Sequence, residues 1–285
     1  MDYQPLIIVG APRSGTNMLR DVLTSLDGFA TWPCDEINYI WRHGNVRYPS
    51  DEIPPGKATP AVKKYIRQWF TELGTESGAQ VVVEKTCANS LRVPFVDAVL
   101  PEAKYIFIYR DGLDATGSAK ERWTAELEIP YILKKMRFVP KTDLPYYGFR
   151  YCWARVYRLL SKENRLAFWG PALDGMQTIL QQHTLNEVCA LQWQRCVDKA
   201  EEAFSRMPEG KVVRVRYEDF VKHPVEELTR ILEFMGRDVP PDKVARAVER
   251  VSPQSLGKGR KALGASEVAS LENLVGETLQ RYGYL

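Results

Sequence analysis

Residues 6–26, LIIVGAPRSGTNMLRDVLTSL, join a short apolar run to a glycine-bracketed turn and then to a helical pattern. Few folds accept that order of elements. Leu6, Ile7, Ile8 and Val9 form a bounded apolar run suited to a buried parallel strand, while Met18, Leu19, Val22, Leu23 and Leu26 recur at helical spacing. Between them lies Gly10-Ala-Pro-Arg-Ser-Gly-Thr16. Gly10 and Gly15 let the backbone turn tightly, so that amide N–H groups and the helix N-terminus converge on one phosphate-like anion, with Arg13, Ser14 and Thr16 as added donors.

A P-loop, GxxxxGK(S/T), carries its lysine directly after the second glycine and a magnesium-binding hydroxyl after that. Those places are Thr16 and Asn17 here, and the cation sits inside the loop at Arg13. Such a loop suits an anion transferred without a metal, and a sulfuryl group, carrying less charge than a phosphoryl group, needs one less. The segment resembles the 5′-phosphosulfate loop of sulfotransferases that use 3′-phosphoadenosine 5′-phosphosulfate (PAPS), in the PRSGT form of bacterial, carbohydrate and tyrosylprotein members. The family loop reads PRSGTT, so Asn17 is a departure. The resemblance implies that Arg13, Ser14, Gly15, Thr16 and Asn17 hold the 5′ end of the donor. An ordinary strand-to-helix turn is the plain alternative.

Strands are predicted over Leu6–Gly10, Val81–Lys85, Tyr105–Arg110 and Val212–Tyr217, with helices over 60–74, 91–99, 114–126, 147–163, 187–206 and 223–236. Alternation of this kind points to an α/β fold, a P-loop-like doubly wound parallel sheet flanked by helices. The 285 residues are read as one domain, with a helical insertion covering the acceptor expected at about 127–186, where prolines and aromatics break the periodicity. Ligands of such sheets bind at the carboxyl ends of the strands. Three strand ends carry polar residues: 10–16, Glu84-Lys85-Thr86 and Arg110-Asp111.

In YIFIYRDGLDATGSAKERW, Arg110 ends the strand and Ser118 follows near the start of the next helix, and both can face one anion, Arg110 as a bidentate donor. The pair resembles the family's second motif, whose arginine and serine bind the 3′-phosphate of PAPS. The glycine-rich basic segment Gly257-Lys-Gly-Arg-Lys261, followed by a final helix from Ser266, resembles the third nucleotide-binding element. It assigns Lys258, Gly259 and Arg260 to the 3′-phosphate, although the family's RKG order is not reproduced and Lys261 stays open. VVRVRYEDF resembles the later strand and turn, which places Tyr217 near the adenine.

Sulfuryl transfer is an in-line displacement: the departing bridging oxygen needs a cation, the sulfonate oxygens need donors, and the acceptor proton needs a base. The resemblance gives the first two tasks to Lys85 and Arg13. Cytosolic small-molecule members carry a histidine two residues after that lysine, where this chain has Cys87. Tyrosylprotein and some carbohydrate members use a glutamate after the first helix, which makes Glu36 the first choice for the base and Asp35 the second. His43, His183 and His223 remain further candidates.

A net charge of +3 gives no footprint for nucleic acid. No run approaches a membrane span and no leader pattern opens the chain, so a cytoplasmic enzyme is expected. Five cysteines without a CxxC pair, and three scattered histidines, indicate neither a disulfide framework nor a metal site. The expected acceptor bears a hydroxyl, or an amine, on a glycan, a peptidyl tyrosine or a small metabolite. The rival readings are a magnesium-dependent P-loop kinase or NTPase, whose lysine and hydroxyl are missing here, and an inactive nucleotide-binding module, which would not need Lys85 or Glu36.

Overall fold

In the computed structural model, residues 3–123, 138–149 and 169–285 are described. Strands β1 (Gln4–Val9), β2 (Phe29–Ala30), β3 (Val81–Lys85), β4 (Lys104–Tyr109) and β5 (Val212–Arg216) form one parallel sheet in the order β2-β3-β1-β4-β5. The three strands with polar ends are therefore neighbours. Ile8 is level with Lys85 on one side and Ile106 on the other, so the turns after β1, β3 and β4 leave the same edge side by side.

The apolar run of β1 is continuous because both faces of the sheet are covered. Ile7 and Val9 enter one core with Phe70, Phe95, Phe107 and Trp193. Leu6 and Ile8 enter the other with Leu19, Leu23, Leu228 and Ile231. Helices α1 (Thr16–Thr24) and Pro224–Met235 supply the second core, while α3 (Pro60–Ser77), α4 (Val93–Val99) and Leu185–Phe204 supply the first. This is the doubly wound arrangement expected of the pattern.

Several boundaries differ from the sequence reading. β1, β4 and β5 end one residue before Gly10, Arg110 and Tyr217, because Gly10 and Arg110 already belong to the turns that follow and Tyr217 opens the helix Tyr217–Lys222. β2 and the short helix α2 (Asn38–Trp41) are too brief to show a period. The final helix starts at Ala265 with Gly264 at its cap, since the Glu267 carboxylate accepts from Gly264 N at 2.8 Å, which places Ser266 inside the first turn. The basic segment is not a loop throughout: Lys258–Lys261 is a short helix. Within the expected insertion, residues 144–149 and Met176–Gln182 are helical; most of the 147–163 helix lies outside the described residues.

Candidate active site

The turn after β1 places Arg13 at φ 68° and Gly15 at φ 88°. Arg13 is the one non-glycine with positive φ among the described residues, a conformation costing roughly 1–2 kcal/mol. Two left-handed residues in so short a span turn the amides inward at the start of α1, whose end has no side-chain cap. The Oγ of Ser14 is buried and has no protein partner. Gly15 is confined twice, because a Cβ there would lie 2.4 Å from the Tyr217 ring. An anion at this helix terminus would meet inward amides and the Ser14 hydroxyl, so the loop fits the 5′ end of a nucleotide. Thr16 is buried with Oγ1 3.7 Å from Cys87 Sγ, and Asn17 is exposed on the first turn.

Arg13 reaches the second element as well. Its Nε donates to Ser118 Oγ at 2.9 Å, and its carbonyl accepts from Arg110 Nη1 at 3.0 Å. The two residues expected at the 3′-phosphate are thus joined through the loop. Ser118 lies inside α5 (Gly112–Trp123), not near its start, because α5 begins directly after the strand-end turn, where Asp111 Oδ1 accepts from Leu113 N at 2.9 Å. Arg110 is not poised to bind bidentately. Its Nε and Nη2 donate to the Asp114 carboxylate, Nη2 also donates to Ser255 O at 3.0 Å, and one Nη1 hydrogen is left.

Tyr217 packs its ring 4.3 Å from the Arg110 guanidinium and shares a 2.5 Å hydrogen bond with Ser255 Oγ. Arg260 is committed to Asp111 at 3.4 Å and to Glu272, whereas Lys258 and Lys261 are exposed. Gly259 is buried against α5.

At the end of β3 the Lys85 side chain is 2% exposed, and its Nζ donates to Glu36 Oε1 at 3.1 Å. The same oxygen accepts from Cys87 N at 3.3 Å. Burial alone favours the neutral amine, but the charge of Glu36, with Cys87 beside it, outweighs burial and raises the Lys85 pKa. Burial pushes the Cys87 thiol up to about 12, so it stays protonated. Asp35 turns elsewhere: Arg20 Nη1 donates to its carbonyl at 3.2 Å and to its carboxylate at 3.4 Å. Among the histidines, His43 is bonded to Asp143 at 2.8 Å, His183 faces Glu187 at 3.5 Å, and His223 sits between two surface helices.

Two structural roles escaped sequence reasoning. Asp114, one turn after Arg110, binds that arginine and the backbone of Gly257–Arg260; its spacing from Arg110 was the available signal. Glu84 is fully buried, which raises its pKa to about 7, and it accepts from Thr86 Oγ1 at 2.5 Å and Asn89 Nδ2 at 2.9 Å. Thr86 Oγ1 in turn accepts from Ile37 N at 3.2 Å, and so anchors the segment that carries Glu36. Among the described residues no group of histidine, cysteine or acid side chains is placed to hold a metal ion, and no helix is long and apolar enough to cross a membrane.

The chain matches the model of the Sulfotransferase family over residues 5–167 and 163–241. It belongs to the sulfotransferase family. Bovine (Bos taurus) Sulfotransferase 1A1 is 31% identical over 253 residues, covering 89% of this chain and 66% of the bovine protein, just under two thirds of its length. Among solved structures, the sulfotransferase domain from the curacin biosynthetic pathway superposes with a TM-score of 0.56 at 13% identity, over 96% of this chain and 98% of that one. Mouse sulfotransferase SULT7A1 complexed with PAP gives 0.53 at 14% identity, over 97% of this chain and 85% of the mouse chain. At these identities the two structures are relatives in fold, and the family membership rests on the sequence match.

Proposed function

We propose that this chain transfers a sulfuryl group from PAPS to a hydroxyl or amine acceptor. The observation that carries the proposal is the convergence, at one sheet edge, of an anion loop, a Glu36–Lys85 pair at 3.1 Å, and an Arg110–Arg13–Ser118 chain. PAPS, bound there, supplies the activated sulfuryl group. Arg13, Ser14, Gly15, Thr16 and Asn17 hold its 5′ end through inward amides and hydroxyls. Arg110, Ser118 and the Lys258–Arg260 segment take the 3′-phosphate, with Tyr217 beside the nucleotide. PAP bound to the mouse fold relative supports such a donor.

Glu36 accepts the acceptor's proton as the new oxygen–sulfur bond forms. Lys85 then stands next to a neutral carboxylic acid rather than a carboxylate, and its charge is released to the bridging oxygen as the sulfur–oxygen bond to the 5′-phosphate breaks. One pair of side chains thus couples proton removal to leaving-group stabilisation. Asp35, held by Arg20, is less well placed for that task.

Incubation with radiolabelled PAPS and a panel of phenols, glycans, tyrosyl peptides and amines tests the reading. Label in an organic sulfate, with adenosine 3′,5′-bisphosphate released, is the expected result. Phosphoryl transfer from ATP with no PAPS turnover would establish the kinase reading in its place.

A further inference from the structure

Asp114 lies on the first turn of α5, and the residue is 2% exposed. Its carboxylate accepts five hydrogen bonds: Oδ2 from Arg110 Nε at 2.9 Å, from Arg110 Nη2 and from Gly257 N at 3.2 Å, and Oδ1 from Gly259 N at 2.6 Å and Arg260 N at 3.2 Å. One buried carboxylate therefore joins the end of β4 to a segment about 145 residues further along the chain. The backbones meet glycine to glycine. A Cβ on Gly259 would lie 1.9 Å from Asp114 O, and one on Gly117 would lie 2.0 Å from Gly259 O. Only at that separation do the amides of 257–260 reach the carboxylate.

We propose that Asp114 is a positioning residue for the donor's 3′-phosphate, aiming Arg110 and seating the Gly257–Arg260 backbone on α5 so that both arrive at one phosphate. The proposal rests on the sulfotransferase reading given above. Arg110 has four of its five N–H groups engaged inside the protein, so its remaining donor points where Asp114, Arg13 and Ser255 fix it. Without the carboxylate, a guanidinium on a long side chain has many rotamers, and the short Lys258–Lys261 helix loses the acceptor for its first amides. Asp114 acts through other groups and forms no bond to the reacting atoms.

Asp114→Asn separates the two halves of this role. The amide oxygen still accepts from Gly259 and Arg260, while the amide nitrogen faces the donors of Arg110 and Gly257. The expected result is a loss of about 10- to 100-fold in affinity for adenosine 3′,5′-bisphosphate, the size of one misdirected charge-assisted hydrogen bond. Affinity for AMP, which lacks the 3′-phosphate, stays within about twofold, and turnover at saturating PAPS falls far less than the rise in KM. Gly259→Ala, which forces the segment off α5 while keeping Asp114, is expected to show the same selective loss, and it decides the matter should Asp114→Asn fail to fold. Parallel loss of AMP and bisphosphate binding with turnover would make Asp114 a structural residue only. Tighter bisphosphate binding in Asp114→Asn would make it a competitor of the phosphate, and either result overturns the proposal. A wild type that binds AMP and the bisphosphate equally would instead overturn the sulfotransferase reading on which it stands.

Discussion

Replacing Glu36 by Gln separates the two consequences of the Glu36–Lys85 pair. The amide keeps the shape and still accepts from Lys85 Nζ and Cys87 N, but it takes no proton and carries no charge. Opposite charges 3.1 Å apart attract by a gross ~5 kcal/mol at an effective dielectric constant of about 20. Glu36 is 29% exposed, so water screens much of this, leaving roughly 1–3 kcal/mol that favours the Lys85 cation. Lys85 is the group whose folded pKa is raised, so its cation survives to higher pH because of Glu36 and is lost as pH rises through that value. In the variant, burial acts without the Glu36 charge and the alkaline limb of the rate moves to lower pH. The acid limb, which reports protonation of Glu36, disappears. Turnover falls by about 10²–10⁴-fold, the usual contribution of a positioned base. Pre-steady-state rates across pH, with bisphosphate affinity as the control, measure all three. Full activity in Glu36→Gln with an unmoved alkaline limb would refute the pairing, and loss of activity in Asp35→Asn instead would transfer the role to its neighbour.

Lys85→Ala is expected to lower turnover by about 10²–10³-fold while bisphosphate affinity stays nearly unchanged, and kinetics beside calorimetry would show whether the lysine is instead a ground-state anchor. Transfer is expected to proceed in EDTA, since Lys85 and Arg13 supply the positive charge; strict dependence on magnesium in a coupled assay would contradict this. Glu84 holds its proton up to about pH 7 when folded and releases it near pH 4.5 when unfolded, so between those values the unfolded state binds fewer protons and stability falls as pH rises. Glu84→Gln, whose amide can donate to Thr86 and accept from Asn89, should remove most of that decline, up to ~3 kcal/mol, in urea melts at pH 4.5 and 7.5; an unchanged slope would show that Glu84 is not its source.

What the sequence made legible were features whose signal is local. The β1 run, the glycine turn and the α1 periodicity occupy one continuous stretch, and each strand end announces its polar residues next to an apolar run. Glu36 and Lys85 could be named from resemblance, but their pairing spans 49 residues and appears only when β3 is laid beside β2, after which Glu36 follows. Glu84 reads as one more polar residue at a strand end, and its burial follows from β3 being covered on both faces. Asp114 is hidden more deeply still. Its partners beyond Arg110 lie 143 to 146 residues away and are backbone amides, which have no identity in a sequence. The same docking converts the basic segment from an expected loop into a short helix and commits Arg260 to Asp111 and Glu272.

Calorimetric titration with adenosine 3′,5′-bisphosphate and with ATP, both in EDTA, tests the central claim most directly. A PAPS site built on Arg110, Ser118 and the Lys258–Arg260 segment requires tighter binding of the bisphosphate by at least about tenfold, because ATP leaves the 3′ donors without a phosphate at a cost of roughly 1.5–3 kcal/mol. Equal affinities, or a preference for ATP, would contradict it.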